Sequence, residues 1–171
     1  MRTRVLLSQT QYKKLRQHLF NDNSEQGAFL FARRKQKGDM LDFVIDEVYF
    51  VPTDRWRYRN AGYLELKEKE KVKIMLKARE IGADVLECHS HVSSTKASFS
   101  FFDLEEMQKF IQYVWWKLPE KIYGALVWSR KDVNGVIWLP KQYEPITIES
   151  VEVQGHRIFS WIRKIFGLEK E

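Results

Sequence analysis

Two of the chain's four histidines, His89 and His91, stand one residue apart in the stretch ECHSHVSSTKASFSFFD, which runs from Glu87 to Asp103. The apolar residues Val85 and Leu86 just before it predict a short buried strand. Side chains two apart on a strand point to one face, so the two imidazoles aim together. Such a pair is half of a zinc site, and a catalytic zinc takes three protein ligands and keeps one position open. Asp103 is the candidate third ligand. Cys88 and Ser90 have the opposite parity and face away, so Cys88 is expected to pack in the core rather than to act as ligand or nucleophile.

After His91 the chain reads VSSTKASFSFF, too polar and serine-rich at its start to continue a strand, so a loop is expected there. Ser100, three residues before Asp103 and ahead of LEEMQKFIQYVWW, is a helix-start signal: a hydroxyl to cap a free N–H and an acid in the first turn. That is the plainer reading of these two residues, as a lone His-x-His is more often ordinary core or surface. Taken together, however, His89, His91, Ser100 and Asp103 keep every gap of the pattern His-x-His-Pro-x7-Ser-x-x-Asp. This resembles the JAMM signature of the JAB/MPN metalloprotease family. Val92 stands where that family usually has proline, a position that shapes the loop and does not bind metal.

The resemblance implies an α/β (mixed α+β) domain of the JAB/MPN fold, a mixed sheet flanked by helices and similar in plan to cytidine deaminases. It implies Zn2+ on His89, His91 and Asp103, with Ser100 donating its hydroxyl hydrogen to the oxyanion. In the family a glutamate shortly precedes a small and apolar strand, and Glu25 ahead of GAFLFA is similar, which makes Glu25 the implied general base and acid. Asp46, Glu47 and Glu87 are the other local candidates, and Glu87 shares the strand parity of the histidines. The implied activity is that of a zinc isopeptidase or peptidase cutting after the C-terminal tail of a ubiquitin-like protein. Such a short single-domain form resembles bacterial JAB proteins encoded beside ubiquitin-like conjugation enzymes, including those of anti-phage systems, whose activating and conjugating enzymes are implied partners. The alternative is a silent module that keeps the fold and binds a ubiquitin-like partner. A deaminase would need His-x-Glu and Pro-Cys-x-x-Cys, and Cys88 is the only cysteine.

The elements that must position these residues are legible in outline. Arg4 to Leu7 reads as a strand, and Ser8 with Gln11 makes a capping box for a helix to about Phe20. Glu25 to Ala32 reads as a strand turned back at Lys37-Gly38-Asp39 into Met40 to Val51. Pro52 to Gly62, PTDRWRYRNAG, lacks periodicity and is expected to be an exposed loop whose arginines meet a partner. An amphipathic helix from about Tyr63 should stop at Gly82, and Leu104 to Lys117 is the second major helix, closed by Pro119. Lys121 to Ser129 and Val136 to Leu139 read as a hairpin turned at Asn134-Gly135. Ile146 to Val153 is expected to be an edge strand or an irregular extension. A final helix over residues 156–166 carries the stripe Ile158, Phe159, Ile162, Ile165 and Phe166.

Length and composition bound the rest. With 171 residues, 44% of them hydrophobic and 14% aromatic, the chain suits one domain with a sizeable core and is no low-complexity sequence. Lysine and arginine outnumber acids 29 to 23, a modest excess that a solvated surface absorbs; no nucleic-acid motif accompanies it. The apolar runs are short and broken by charge, so neither a membrane span nor a signal peptide is expected, and a single cysteine agrees with a reducing, cytoplasmic setting.

Overall fold

The computed structural model describes residues 1–153 and the backbone of residues 156–159. Strand β1 (Arg2–Leu7) leads into helix α1 (Gln9–Leu19) through the capping box anticipated above: Ser8 Oγ accepts the Gln11 N–H at 3.1 Å, and Gln11 Oε1 accepts the Ser8 N–H at 2.8 Å. The long hairpin of β2 (Gly27–Lys37) and β3 (Met40–Phe50) follows. A second, short hairpin joins β4 (Trp56–Arg59) to β5 (Leu64–Leu66), then α2 (Glu68–Ile81) ends at Gly82, whose φ of 66° is the left-handed stop that glycine adopts most readily. Next come β6 (Asp84–Ser90), α3 (Phe101–Lys117), β7 (Tyr123–Trp128), β8 (Val133–Trp138), β9 (Ile146–Thr147), β10 (Ser150–Val153) and β11 (His156–Phe159).

Among the described residues, nine strands make one mixed sheet in the order β11-β10-β1-β3-β2-β6-β7-β8-β9, with β4 and β5 forming a separate ribbon. The stretch expected as an edge strand or extension is an edge strand at Ile146–Thr147, but at Ser150–Val153 it lies inside the sheet between β1 and β11. Its β9 pairs with β8 and its β10 pairs with β1, so one short run of chain touches both ends of the sheet and curls it. Between them the Ile148 N–H donates to the Gly135 carbonyl at 2.9 Å and the Glu149 N–H to the Thr3 carbonyl at 2.8 Å.

Each face of the sheet buries a separate apolar cluster. On one side Leu15 and Leu19 of α1 pack against Leu30, Phe43, Leu86, Cys88, Leu126 and Trp128. On the other, Ile74, Met75 and Ala78 of α2 and Met107, Ile111 and Val114 of α3 cover Phe29, Phe31, Val85, Tyr123 and Ala125. Fully burying one such aliphatic or aromatic side chain stabilises the fold by about 1.5–3 kcal/mol. Since Leu86 and Cys88 face α1, the alternate residues Glu87 and His89 face the α2 and α3 side. Cys88 is buried core, as its parity requires.

Three further expectations are corrected. Pro52 to Gly62 is no simple loop: after a single 3-10 turn (Thr53–Arg55) it enters β4, and Leu64 to Leu66 pair with it before α2 begins. Asn134 and Gly135 lie inside β8, paired with Val127 and Leu126, so the turn falls earlier, at Ser129 to Asp132. Gly135 is needed for contact and not for turning, because a Cβ there would stand 2.6 Å from Leu126 Cδ2 and 2.8 Å from Ile148 Cδ1. Finally, His156–Phe159 opens no helix. It is a strand antiparallel to β10, whose outer edge offers backbone groups that a helix would leave unpaired. The remainder of the expected C-terminal helix, residues 160–166, lies outside the described residues. No helix among the described residues is long and apolar enough to cross a membrane.

Candidate metal centre

Strand β6 is central, antiparallel to β2 and parallel to β7, so its backbone is held on both sides along the register from Val85 to Ser90. It carries His89 on the α3-facing side. One residue past the strand, the His91 N–H still donates to the Trp128 carbonyl at 2.8 Å, which keeps His91 on the same line. The two rings converge, with 3.2 Å between their Nε2 atoms.

The loop after His91 returns to the site by anchoring on the turn between β7 and β8. The Ala97 N–H donates to Asp132 Oδ2 at 3.1 Å, and Ser129 Oγ donates to the Thr95 carbonyl at 3.0 Å. Neither Ser129 nor Asp132 drew notice in the sequence, because their role is set by a contact between segments far apart in the chain. The loop delivers Ser100 as the N-cap of α3: its Oγ accepts the Asp103 N–H at 3.1 Å while Asp103 Oδ2 accepts the Ser100 N–H at 2.6 Å. That cap turns the carboxylate toward the histidines. Asp103 Oδ1 stands 3.5 Å from His89 Nε2, and Oδ2 stands 3.3 Å from His91 Nε2.

These separations test whether a zinc ion suits the three residues. Ligand atoms about 2.0–2.1 Å from a tetrahedral centre stand roughly 3.3–3.4 Å from one another; the two imidazole Nε2 atoms are 3.2 Å apart, Asp103 approaches each of them through a different carboxylate oxygen, and one ligand atom from each of the three residues lies within 4.8 Å of the others. The donor set of two imidazoles and one carboxylate is also one that zinc takes. The three residues His89, His91 and Asp103 can therefore hold a metal ion.

Electrostatics around the trio follow from burial and mutual contact. Desolvation alone would lower His89, but the hydrogen bond and charge of Asp103, with the charges of Glu87 and Glu25, together outweigh it, and the imidazole is held above its ordinary value. For Asp103, burial would raise the carboxyl, yet hydrogen bonds from His89 and His91 hold it far below the usual carboxylate range. Each charge keeps the other in place.

Glu25 precedes β2 and is 94% buried, since only 6% of its surface remains exposed. Continuing the pairing of Gly27 with His89, it falls opposite His91, and its Oε1 lies 3.8 Å from His91 Nε2. Burial pushes its carboxyl above the ordinary value against the pull of His89 and His91. The neighbouring Gln26 is tied to the ligand strand: its N–H donates to Ser90 Oγ at 3.0 Å, and the Ser90 N–H donates to its carbonyl at 3.0 Å. The buried Ser90, of opposite strand parity to the histidines, thus clamps the Glu25 segment to the ligand strand. Gly27 leaves room for Trp56, because a Cβ there would stand 2.8 Å from the indole ring. Trp56 Nε1 in turn donates to Gln26 Oε1 at 2.6 Å.

Two of the three rival acids sit elsewhere. Asp46 pairs with Arg33 and Glu47 with Lys77, both on the surface. Glu87 shares the face of His89, as parity predicts, and lines the cleft beside the trio, with its carboxyl pushed up by burial. That cleft, of about 280 Å³, opens between the β4–β5 ribbon and α3, and Trp56, Leu66, Phe102, Met107, Phe110 and Tyr113 form its apolar walls. Comparison with protein-family models gives no match and comparison with curated proteins gives none, so the case for a metal centre stands on the spacing of these side chains.

Proposed function

We propose that the chain is a zinc-dependent peptidase of the JAB/MPN type, cutting the isopeptide or peptide bond that follows the C-terminal tail of a ubiquitin-like protein. The observation that carries this reading is the placement of a buried carboxylate outside the trio, Glu25, 3.8 Å from His91 in a His89, His91 and Asp103 group whose ligand atoms lie close enough together to hold a metal ion. The likeness of the His89, His91, Ser100 and Asp103 spacing to the family signature supports the substrate class.

His89, His91 and Asp103 would hold the ion, which supplies Lewis acidity, acidifying water and polarising a carbonyl. Glu25 stands where it can take a proton from the attacking water and return it to the leaving nitrogen, as base and then acid. Ser100 Oγ already accepts the Asp103 N–H, which leaves its hydroxyl hydrogen to donate to an oxyanion, a contribution of about 3 kcal/mol for a well-placed donor. The apolar walls of the cleft exclude water and take an extended tail.

The test is cleavage of a panel of ubiquitin-like proteins carrying a short C-terminal extension, with zinc and with chelator. Cleavage after the tail that chelator abolishes and added zinc restores is the expected result. Tight binding without cleavage by zinc-loaded protein would favour a silent binding module instead.

A further inference from the structure

The β4–β5 ribbon does more than wall the cleft, and Arg59 is where it does so. Arg59 Nε donates to the Glu25 carbonyl at 2.7 Å, while its Nη2 donates to Asp22 Oδ1 at 2.6 Å and reaches the Ser24 carbonyl at 3.4 Å. The next residue closes the tie from the other side, for the Glu25 N–H donates to the Asn60 carbonyl at 2.8 Å. Only 12% of the Arg59 side chain is exposed, and the short pair with Asp22 holds that carboxyl below its ordinary value. Both backbone groups of Glu25 are thereby bonded to Arg59 and Asn60, and neither bond comes from the main sheet. The adjacent Gln26 is fixed independently through Ser90.

We propose that Arg59 is a positioning residue, which sets the place of the Glu25 carboxylate relative to the metal trio by gripping the backbone of residues 22–25. This rests on the reading of Glu25 as the base. The guanidinium suits the task because its planar fork can serve two carbonyls and a carboxylate at once, which the point charge of a lysine cannot do equally. The Gln26 clamp predicts where the damage stops. With Arg59 removed, β6 and the ligands keep their pairing while the segment on the far side of Gln26 loosens.

Zinc-loaded wild type, Arg59→Ala, Arg59→Lys and Glu25→Gln are compared by hydrogen exchange and by steady-state cleavage of a ubiquitin-like protein with a C-terminal extension. In Arg59→Ala the Glu25 amide should exchange at least about tenfold faster, because its bond to Asn60 no longer has the Arg59 grip beside it. The amides of residues 85–90 and the zinc content should match wild type. A misplaced base lowers kcat by about ten- to a hundredfold with KM unchanged, and Arg59→Lys should recover part of the loss. Unchanged exchange at Glu25 in Arg59→Ala overturns the proposal, whether or not the probe is cleaved. So does wild-type kcat in Arg59→Ala when Glu25→Gln is inactive. A fully active Glu25→Gln overturns the assignment of the base instead, and the exchange result still decides whether Arg59 grips the segment.

Discussion

Among the described residues there are two capping boxes, and they have almost the same geometry. At α1 the serine hydroxyl of Ser8 accepts the N–H of Gln11 at 3.1 Å; at α3 the hydroxyl of Ser100 accepts the N–H of Asp103 at 3.1 Å. Both return bonds are present, from Gln11 Oε1 and from Asp103 Oδ2. The difference lies in what each third residue does next. Gln11 turns its amide to the Ile45 carbonyl at 3.0 Å and completes a purely structural contact. Asp103 turns a carboxylate to two imidazoles. A local motif therefore fixes where a side chain points, and only the element opposite it decides whether that direction carries chemistry.

The sharpest break of this comparison is Asp103→Asn, which gives the second box a neutral amide like the first. Asparagine can still accept at the cap, so metal-free Asp103→Asn should stay folded and keep the start of α3, losing only the stability that the charge pairing with His89 supplies. Its zinc binding should be lost, as should that of His89→Ala. Titration of the metal-free proteins with zinc, read by calorimetry, checks both. Zinc bound by Asp103→Asn at wild-type affinity would reduce the second box to a cap and nothing more.

Glu25→Ala separates base from ligand. It should keep one zinc and lose about 10²- to 10⁴-fold in turnover, the ordinary cost of removing a general base. Zinc content by elemental analysis beside kcat on a tailed ubiquitin-like probe distinguishes the roles. If Glu87→Ala loses turnover while Glu25→Ala does not, the base is the deeper acid of the cleft.

The two cap serines give the next contrast. Ser8→Ala and Ser100→Ala should each cost about 0.5–2 kcal/mol of stability, measured by urea unfolding. Only Ser100→Ala should also lower kcat, by about 10²- to 10³-fold, because only that hydroxyl is proposed to donate to an oxyanion. Equal kinetics in the two variants would leave Ser100 with the cap alone.

What the sequence made legible is what local spacing controls. His89 and His91 share a face because strand parity is two, and Ser100 orients Asp103 because a capping box spans three residues; both appear as read. The stop at Gly82 and the box at Ser8 are of the same kind. The misreadings concern partners distant in the chain. The run Trp56 to Arg59 alternates aromatic and arginine over only four residues, too few to mark a strand by themselves, and its strand is held by Leu64 to Leu66 and by the grip of Arg59 and Trp56 on the Glu25 segment. Asn134-Gly135 has turn composition, yet Gly135 is there to let Leu126 and Ile148 close on the backbone. An arginine expected to meet a partner proved to be nearly buried, and its role was invisible until Asp22 and Glu25 were placed beside it.

The smallest expected effect compares the two boxes by pH in the metal-free protein. Gln11 does not titrate, so the first box contributes nothing that depends on pH. In the second, the folded state raises His89 above its ordinary value and lowers Asp103 below its own. The raised His89 contributes stability that is fully present below its unfolded pKa of about 6.5 and is lost as pH rises through the folded value. The lowered Asp103 contributes stability that is present above about 3.8 and is lost as pH falls through its folded value. The pair therefore stabilises the metal-free protein most in the mildly acidic window between the two unfolded values, and part of that gain disappears as pH rises through the raised His89 value. Zinc reverses the sense, because it must displace the proton from His89, so apparent zinc affinity should rise by up to about tenfold per pH unit until that imidazole has lost its proton. Urea unfolding of metal-free wild type and Asp103→Asn from acid pH to beyond the raised His89 value checks the first half. The difference between the two curves should narrow as pH rises past the raised His89 value, while Gln11→Ala should shift the wild-type curve by the same amount at every pH. A difference that stays constant, or grows toward alkaline pH, would mean that Asp103 and His89 do not hold each other's charge, and would return the second box to the same standing as the first.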